Sequence, residues 1–466
     1  MMTANEQSVA QVSKNDPREI FGWMVYDWAN SGFYTTVVAA LFGEYLTRLA
    51  QAAVGENGVI FALGPFLVTA KSLAPFTVGV SVFLQIFLLP VLGAFGDYSV
   101  LKKRLMMLFC YSGVVATCLL FFLTTGGHLF GSLVFIAANV CFGASIVFYN
   151  SFLPDIATED QRDRVSSRGY ALGYLGGGLL LALNLVFVFS AGRLGISTGM
   201  AVRSCLLSAG FWWGGFALIT FKRLRNRPPV RKLPPSQSYL TIGFKELGST
   251  FSELRRLRQT LKYLLGYLFY NDGIQTVITV SGVFLGQELF AARGMETPPS
   301  FLLGILLVVQ FLAFFGALGF ERLAYAVGTK RAIMISLVGW AGIVIYAYGF
   351  LHTVTQAWIL AVLIAIVLGG SQALSRSLFS QMIPEGREGS FFGLYEISER
   401  GTSWLGPIVF AGVVAYTGSY RQAILSVIAF FVIGMVLLLV TDTDKAIHDA
   451  GNLLPEEAAQ GTSAPP

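Results

Sequence analysis

Residues 93–104 read GAFGDYSVLKKR, and residues 316–331 read GALGFERLAYAVGTKR. In both stretches two glycines, separated by two residues, precede an acidic residue, which is Asp97 in the first and Glu321 in the second. Each stretch ends in a Lys-Arg pair. Two further pairs of phrases recur in the same order: SFLPD at 151–155 with SQMIPE at 380–385, and Tyr26-Asp27 with Tyr270-Asn271-Asp272. Three ordered matches indicate an internal duplication, so the chain is predicted to consist of two related halves.

The composition places both halves in a membrane. Hydrophobic residues make up 55% of the 466 residues and charged residues 12%, whereas a soluble domain carries about 25% charged residues. Because a membrane helix needs about 20 mostly apolar residues, we predict an all-α membrane protein with about twelve transmembrane helices in two six-helix bundles. The predicted helices 1 to 12 cover residues 21–45, 73–95, 105–125, 130–152, 169–190, 201–221, 262–287, 300–320, 331–351, 357–382, 391–417 and 421–441.

Basic residues lie mostly in the loops on one side of the predicted membrane. Lys102, Lys103 and Arg104 follow helix 2, and many others lie between helices 6 and 7. Cytoplasmic loops are enriched in Lys and Arg, so we expect both termini in the cytoplasm and the protein in the plasma (inner) membrane. Basic residues that set the orientation in the membrane also explain the net charge of +6, so we expect no nucleic-acid partner.

The boundaries of the predicted helices divide the chain into five parts. The predicted parts are a cytosolic leader (1–20), an N-terminal bundle (21–221), a basic linker (222–261), a C-terminal bundle (262–441) and a cytosolic tail (442–466). The linker repeats apolar residues every three or four positions from Phe244 to Leu261. That spacing predicts an amphipathic helix that lies on anionic lipid, with a partner-binding helix as the alternative.

The sequence contains no pattern for a metal, a cofactor or catalysis. Its four cysteines lie singly in apolar segments, and its three histidines are scattered. A G-x-x-x-x-G-K-[ST] loop is absent from the sequence, which argues against an ATP-driven pump. We therefore expect no cofactor, no metal and no enzyme activity. A lipid-modifying enzyme is disfavoured because no acid–base or metal-binding groups converge.

Polar side chains inside predicted helices are the candidate functional residues, because they are costly in hydrocarbon. Asp27 on helix 1 and Asp272 on helix 7 are candidate ion-coupling groups, since a buried carboxylate needs a cation, a cavity or a proton. The alternative is that each carboxyl makes a static hydrogen bond between helices. Their polar and aromatic neighbours are candidate cavity residues: Tyr26, Asn30, Tyr34, Asn271 and Gln275.

Three charged residues on helices 10 and 11 extend the predicted cavity. They are Arg376, Glu396 and Arg400. Glu396 and Arg400 lie one helical turn apart in the order that favours an ion pair. The structural alternative is an internal ion pair within the C-terminal bundle, and the functional alternative is that an arginine binds a substrate carboxylate.

The duplicated loops are candidates for a cytoplasmic latch. Asp97 lies at a helix end, where its carboxylate can bind the N-terminus of another helix. The candidate latch residues are Gly93, Asp97, Asp155, Arg162 and Glu321. A solvated loop that only sets topology is the alternative. On helix 5, Gly169, Gly173 and Gly177 recur every fourth residue, which favours close helix packing.

Four phrases carry a family resemblance. They are YDWANS at 26–31, RGYALGYLGGG at 168–178, YNDG at 270–273 and GGSQALSRS at 369–377. Together they resemble the vacuole-effluxer-like branch of the major facilitator superfamily, over all twelve helices. The loop after helix 2 departs from the superfamily motif because Tyr98 follows Asp97 and the second glycine is absent. Helix 5 lacks the proline of the antiporter motif.

The resemblance implies the major facilitator fold and transport of a small solute by alternating access, with amino-acid efflux as the implied activity. We expect proton or cation coupling, contact with membrane lipids and a monomer. The alternatives are an uncoupled uniporter and a non-transporting sensor or scaffold that retains the fold. Neither the substrate nor the direction of transport follows from these residues.

Overall fold

The computed structural model describes residues 14–64, 66–98, 101–227, 231, 239–401 and 405–462. Most of the predicted leader and linker residues 228–230 and 232–238 lie outside this part. The membrane helices are numbered α1 to α12 in chain order. Helices α1 to α10 are Pro17–Val54, Leu73–Asp97, Lys102–Phe122, His128–Ile156, Arg162–Ser190, Thr198–Arg223, Arg258–Arg293, Pro299–Val327, Thr329–Phe350 and Val354–Gln381. Helix α11 covers the described residues 388–401 and 405–417, and α12 is Tyr420–Leu439.

Helix α11 is described in two ranges, 388–401 and 405–417. It consists of Glu388–Glu396, a π-helical turn at Ile397–Gly401 and an outer segment Leu405–Thr417. In the described part of the chain, eleven helices are each long and apolar enough to cross a membrane, and the apolar helix Leu405–Thr417 of α11 supplies the twelfth position. The predicted all-α membrane fold with about twelve helices is confirmed.

The helices extend beyond the predicted apolar segments. Helix α1 was predicted to end at residue 45 but continues to Val54 through a π-helical stretch at Phe33–Leu41. Hydropathy marks only the residues in hydrocarbon, whereas helical hydrogen bonds continue into the interface. After α1, strands β1 (Val59–Leu63) and β2 (Phe66–Thr69) form an antiparallel hairpin that the sequence analysis did not predict.

A linker helix, Tyr239–Arg256, lies between α6 and α7. Its Glu246 accepts hydrogen bonds from the Tyr98 hydroxyl at 2.6 Å and from Ser249 at 2.7 Å, and it pairs with Arg231 at 3.1 Å. Burial alone would raise the pKa of this carboxyl, but these hydrogen bonds and the Arg231 charge outweigh burial and lower the pKa. Because Arg387 also approaches Glu246, at 3.7 Å, the linker helix spans the ends of α2 and α11.

The hydrophobic interior is divided into two large clusters. One extends from Trp23 to Leu224 and the other from Leu254 to Ile447. Each cluster belongs to one six-helix half. The halves are therefore stabilised separately, and their mutual interface does not depend on a merged apolar core.

Glycines on α5 allow α1 to approach closely within the N-terminal half. A Cβ atom on Gly177 would lie 2.5 Å from the Thr35 hydroxyl and 3.1 Å from the Ser31 carbonyl oxygen. On Gly173 it would lie 2.8 Å from the Ser31 hydroxyl, and on Gly169 it would lie 2.7 Å from Asp27. All three predicted packing glycines thus face α1, where even a methyl group has little space.

We expect Gly177→Ala to destabilise the protein by about 1–3 kcal/mol, because overpacking outweighs the gain in helix propensity. Thermal unfolding in detergent measures the effect. The matched control is Gly215→Ala on α6, where no atom lies within 4 Å of a built Cβ. An equal melting temperature for the two variants would contradict close α1–α5 packing as the role of Gly177.

Candidate substrate and gating site between the halves

A buried ion pair joins the two halves. Asp27 on α1 lies 3.2 Å from Nη2 of Arg376 on α10. Both residues are buried, with Arg376 only 2% exposed. Arg376 was predicted either to join an ion pair within the C-terminal half or to bind a substrate carboxylate. The structure instead pairs Arg376 with a carboxylate of the other half, 349 residues away.

Residues of the N-terminal half provide the hydrogen-bond acceptors for Arg376. Its Nε donates to the Ser166 hydroxyl at 2.9 Å, and its Nη2 donates to the Ser166 carbonyl at 3.0 Å. Its Nη1 donates to Asn150 Oδ1 at 3.3 Å and to Asp27 at 3.3 Å. A guanidinium with several well-placed acceptors is strongly held in a water-poor site.

Three aromatic rings surround the same guanidinium. The Arg376 guanidinium carbon lies 4.8 Å from the ring centroid of Trp23, 5.5 Å from that of Tyr149 and 4.2 Å from that of Tyr170. These distances fall within the range of cation–π attraction. We refer to Trp23, Tyr149, Tyr170 and Asp27 as the cation cage. Its rings were not predicted from the sequence, because single aromatic residues in apolar helices look like ordinary packing residues.

Further hydrogen bonds cross between the halves. Asn150 on α4 donates to Glu396 on α11 at 2.9 Å. Tyr174 on α5 donates to Gln372 on α10 at 2.6 Å. Two more of these bonds are from Ser166 to the Ala373 carbonyl at 2.7 Å and from Gln310 to Thr35 at 2.9 Å. Water can replace such bonds when the halves separate, so this interface suits a reversible contact.

Asp272 on α7 contacts the outer segment of α11. It is fully buried, and its Oδ2 accepts a hydrogen bond at 2.9 Å from the backbone N–H of Gly406. Its Oδ1 has no hydrogen-bond partner among the described residues. The neighbouring Asn271 donates to the Glu399 carbonyl at 3.0 Å. Asp272 therefore connects α7 to the outer α11 segment.

The other predicted cavity residues have different environments. Tyr26 is completely buried against Tyr149 and Phe221 in the N-terminal core, so its predicted position on a cavity wall is wrong. Consecutive side chains on a helix point about 100° apart. Asp27 therefore faces the C-terminal half, while Tyr26 faces the core of its own half. Asn30 is buried, Tyr34 is 40% exposed, and Gln275 is half-buried. The side chain of Arg400 lies outside the described part.

Asp97 binds the N-terminus of α11. Its carboxylate accepts hydrogen bonds from the backbone N–H of Gly389 at 2.6 Å and of Ser390 at 2.8 Å, and from the Ser390 hydroxyl. A Cβ on Gly93 would overlap the carbonyl oxygen of Gly389. A carboxylate at this position is favoured by the partial positive charge of the helix end.

The remaining candidate latch residues make a second set of contacts near the same face. Arg162 donates to the Ser380 carbonyl of the other half at 3.0 Å. Asp155 pairs with Lys102 at 2.8 Å within the N-terminal half. Glu321 on α8 lies 3.3 Å from the Arg168 guanidinium on α5. Asp97 ends α2, whereas Glu321 lies inside α8 and not in the predicted loop, because α8 continues to Val327. Asp97 binds backbone N–H groups and Glu321 binds a side chain.

Solved structures define the class of fold. The proton:xylose symporter XylE bound to 6-bromo-6-deoxy-D-glucose aligns with a TM-score of 0.67 and 14% identity over 95% of this chain and 99% of its own. The transporter FucP in the outward conformation aligns with a TM-score of 0.62 and 12% identity over 92% and 99%. The chain therefore has the major facilitator fold and is a multi-pass integral membrane protein.

Sequence comparisons identify the branch. The family model described as "Vacuole effluxer Atg22 like" matches residues 15–451. The uncharacterized MFS-type transporter YxiO of Bacillus subtilis (strain 168) is 32% identical over 438 residues, which cover 93% of this chain and 97% of YxiO. Autophagy-related protein 22-1 of Penicillium rubens is 24% identical over 93% of this chain and 91% of its own. The chain belongs to the Atg22-like vacuole effluxer family of major facilitator transporters.

Proposed function

We propose that this protein is a secondary active transporter that moves a small solute by alternating access, coupled to protons or another cation. The observation that carries the proposal is the buried polar interface between two separately packed halves, centred on Asp27 and Arg376. Charged groups in hydrocarbon are retained where they serve transport or coupling. An interface of replaceable hydrogen bonds lets the halves rock without unfolding either core.

The conformation described here is closed on the side that carries the basic loops. Asp97 at the end of α2, Arg162 at the start of α5 and Arg376 on α10 each make contacts between the two halves. We infer that this side is the cytoplasm of a plasma membrane, with both termini inside. The transporter then acts as a monomer, closed to the cytoplasm in this state.

Asp272 is the leading candidate for the coupling group. Its carboxyl is fully buried, and the Gly406 N–H satisfies only one of its oxygens. Such a carboxyl is better accommodated after it takes up a proton or a cation. Proton loss would strengthen its bond to the outer α11 segment, which links protonation to the position of that helix. Asp27 is the second candidate, because separation of the halves removes its guanidinium partner.

Efflux of amino acids is the activity that the family resemblance supports. The matching model is described as vacuole-effluxer-like, and amino acids are the solutes that we propose this protein moves across its membrane. The basic, exposed side of the linker helix is suited to contact anionic lipid, with Lys245 and Phe251 exposed. Its opposite side contacts the protein through Glu246.

The test is counterflow and net transport of labelled amino acids in proteoliposomes, with and without an imposed pH gradient. We expect Asp272→Asn to abolish the response to the gradient and to reduce net transport by about tenfold or more, because asparagine accepts the Gly406 hydrogen bond but does not titrate. Glu44→Gln is the control, since Glu44 pairs with Arg48 on an exposed surface.

Each result decides between the proposed function and an alternative. Gradient dependence in the wild type that survives in Asp272→Asn would exclude Asp272 as the coupling group. Transport without gradient dependence in the wild type would indicate a uniporter. If no solute in a broad panel of metabolites crosses the bilayer, the sensor or scaffold alternative is supported and the proposed function is wrong.

A further inference from the structure

We propose that the cation cage binds the guanidinium group of the transported solute, and that Arg376 occupies the cage in the cytoplasm-closed state in place of that group. The inference rests on the proposed function and specifies its substrate class as small organic cations. It assigns Trp23, Tyr149, Tyr170 and Asp27 to substrate recognition. Arg376 becomes an internal competitor of the solute.

The cage has the chemistry of an organic-cation site. Its three ring centroids lie 4.2–5.5 Å from the bound guanidinium, and the Asp27 carboxylate lies 3.2 Å away. Aromatic faces attract weakly hydrated organic cations, whereas hard metal ions need several oxygen ligands. In the described part of the chain, no three metal-ligating side chains are grouped to hold such an ion. The recognised group is therefore organic.

The N-terminal half alone supports the cage. The Trp23 and Tyr149 rings stack at 4.4 Å, and the Trp23 indole N–H donates to the Tyr149 carbonyl at 2.9 Å. The Tyr149 hydroxyl donates to Asp27 at 2.7 Å. Gly169 keeps the space open, because a Cβ there would lie 2.7 Å from Asp27 and 3.2 Å from Arg376 Nη2. The cage is thus expected to persist when the C-terminal half moves away.

Arg376 is the member of this arrangement that moves. It lies on α10 in the C-terminal half, and its hydrogen bonds described above all go to N-terminal residues. When the cytoplasmic side opens, Arg376 leaves with α10 and Asp27 loses its counter-charge. Because a buried unpaired carboxylate is costly, a cation from the cytosol is then favoured in the vacant cage.

Competition between the solute and Arg376 links occupancy of the cage to the conformation of the two halves. Solute in the cage stabilises the cytoplasm-open state, since a ligand shifts a conformational equilibrium by its differential affinity. Return of Arg376 closes the cytoplasmic side and displaces the cationic group. The solute can then leave toward the opposite face, and the solute and ion gradients set the net direction.

The first experiment fills the cage artificially. Purified full-length Arg376→Ala is heated with methylguanidinium chloride or with N-methylurea, a neutral analogue of similar shape, at equal ionic strength. We expect a saturable rise in melting temperature with methylguanidinium only. The double variant Asp27→Asn/Arg376→Ala should lose this rise, and the wild type should show a smaller one because Arg376 fills the cage. A rise of equal size with N-methylurea would overturn the proposal.

The second experiment uses the wild type and does not depend on the folding of a variant. Proteoliposomes are tested for transport of L-arginine and of L-citrulline, which replaces the guanidinium by a neutral urea group. We expect a preference for L-arginine of at least about tenfold, because a site built for a polar group rejects analogues that lack it. Agmatine, which has no carboxylate, should compete with L-arginine if the cationic group is what the cage recognises.

The outcomes separate this inference from the proposed function. If neutral or anionic solutes are transported and no organic cation is transported or competes, the protein is a transporter but the cage serves only Arg376. If no solute of any charge is transported, the proposed function fails as well. Transport of organic cations that is unchanged in Trp23→Leu would also overturn the assignment of the cage.

Discussion

Arg376→Gln is expected to reduce transport by about a hundredfold and to open the cytoplasmic side. In the closed state it leaves Asp27 buried without its counter-charge, and breaking a buried ion pair costs about 3–5 kcal/mol. A shift of that size changes the ratio of closed to open conformers by about a hundredfold or more. Glutamine can replace one of the hydrogen bonds of Arg376 to Ser166 or Asn150 but supplies no charge.

Cysteine labelling measures the conformational change. Ser380 is 1% exposed and lies beside Arg162 at the closed face, so Ser380→Cys should react with a membrane-impermeant maleimide only after opening. This reporter is placed in a background in which the four native cysteines are serine. Arg376→Gln should increase the labelling rate. The double variant Asp27→Asn/Arg376→Gln should label more slowly than Arg376→Gln, because it removes the unpaired charge.

The control is Arg203→Gln. Arg203 also lies over an aromatic ring, with Phe121 at 5.6 Å, but both residues belong to the N-terminal half. We expect this variant to keep the labelling pattern and the transport rate. If Arg376→Gln left cytoplasmic closure unchanged, the ion pair would contribute stability within the interface without controlling which state is populated.

Gly93→Ala is expected to have the second largest effect, a loss of transport of at least about tenfold through failure of cytoplasmic closure. The added Cβ would overlap the backbone carbonyl of Gly389, and a backbone atom cannot rotate away as a side chain can. Helices α2 and α11 would have to separate at this contact. Asp97 would then lose its hydrogen bonds to Gly389 and Ser390.

Transport assays and the Ser380→Cys reporter test this prediction together. Gly79→Ala on the same helix is the matched control, since no atom lies within 4 Å of a Cβ built on Gly79. We expect faster labelling and slower transport in Gly93→Ala only. Normal transport with normal protection of Ser380→Cys would mean that α2 and α11 do not need this close approach for closure.

The sequence was sufficient for the helices and for the family. Apolar segments of about 20 residues reveal membrane helices because each segment meets the hydrocarbon individually. The duplicated phrases revealed the two halves because a repeat can be recognised in the sequence without knowing any tertiary contact. Asp97 was also foreseeable as a ligand of a helix N-terminus, because it is an acid at a helix end within a repeated loop. The helix that it binds was not predictable.

The sequence was less informative about partners. Glu396 was expected one turn from Arg400, yet a described partner of Glu396 is Asn150 of the other half. Tyr26 looked equivalent to its neighbour Asp27, but it lies in the core of one bundle. Local spacing gives relative directions along one helix, and it does not determine which direction faces the other half. That depends on how twelve helices pack.

The internal repeat at residues 93–104 and 316–331 indicates an architecture of two related halves. The site between the halves depends on the tertiary structure. Hydropathy, loop charge and repetition are local properties, so the sequence alone specified a duplicated membrane transporter with acids on helices 1 and 7. Only the packed structure brought Arg376 to Asp27 across 349 residues and enclosed it with Trp23, Tyr149 and Tyr170. The physical reason is that a cation site forms from groups on separate helices, whose meeting depends on the packing of the whole chain.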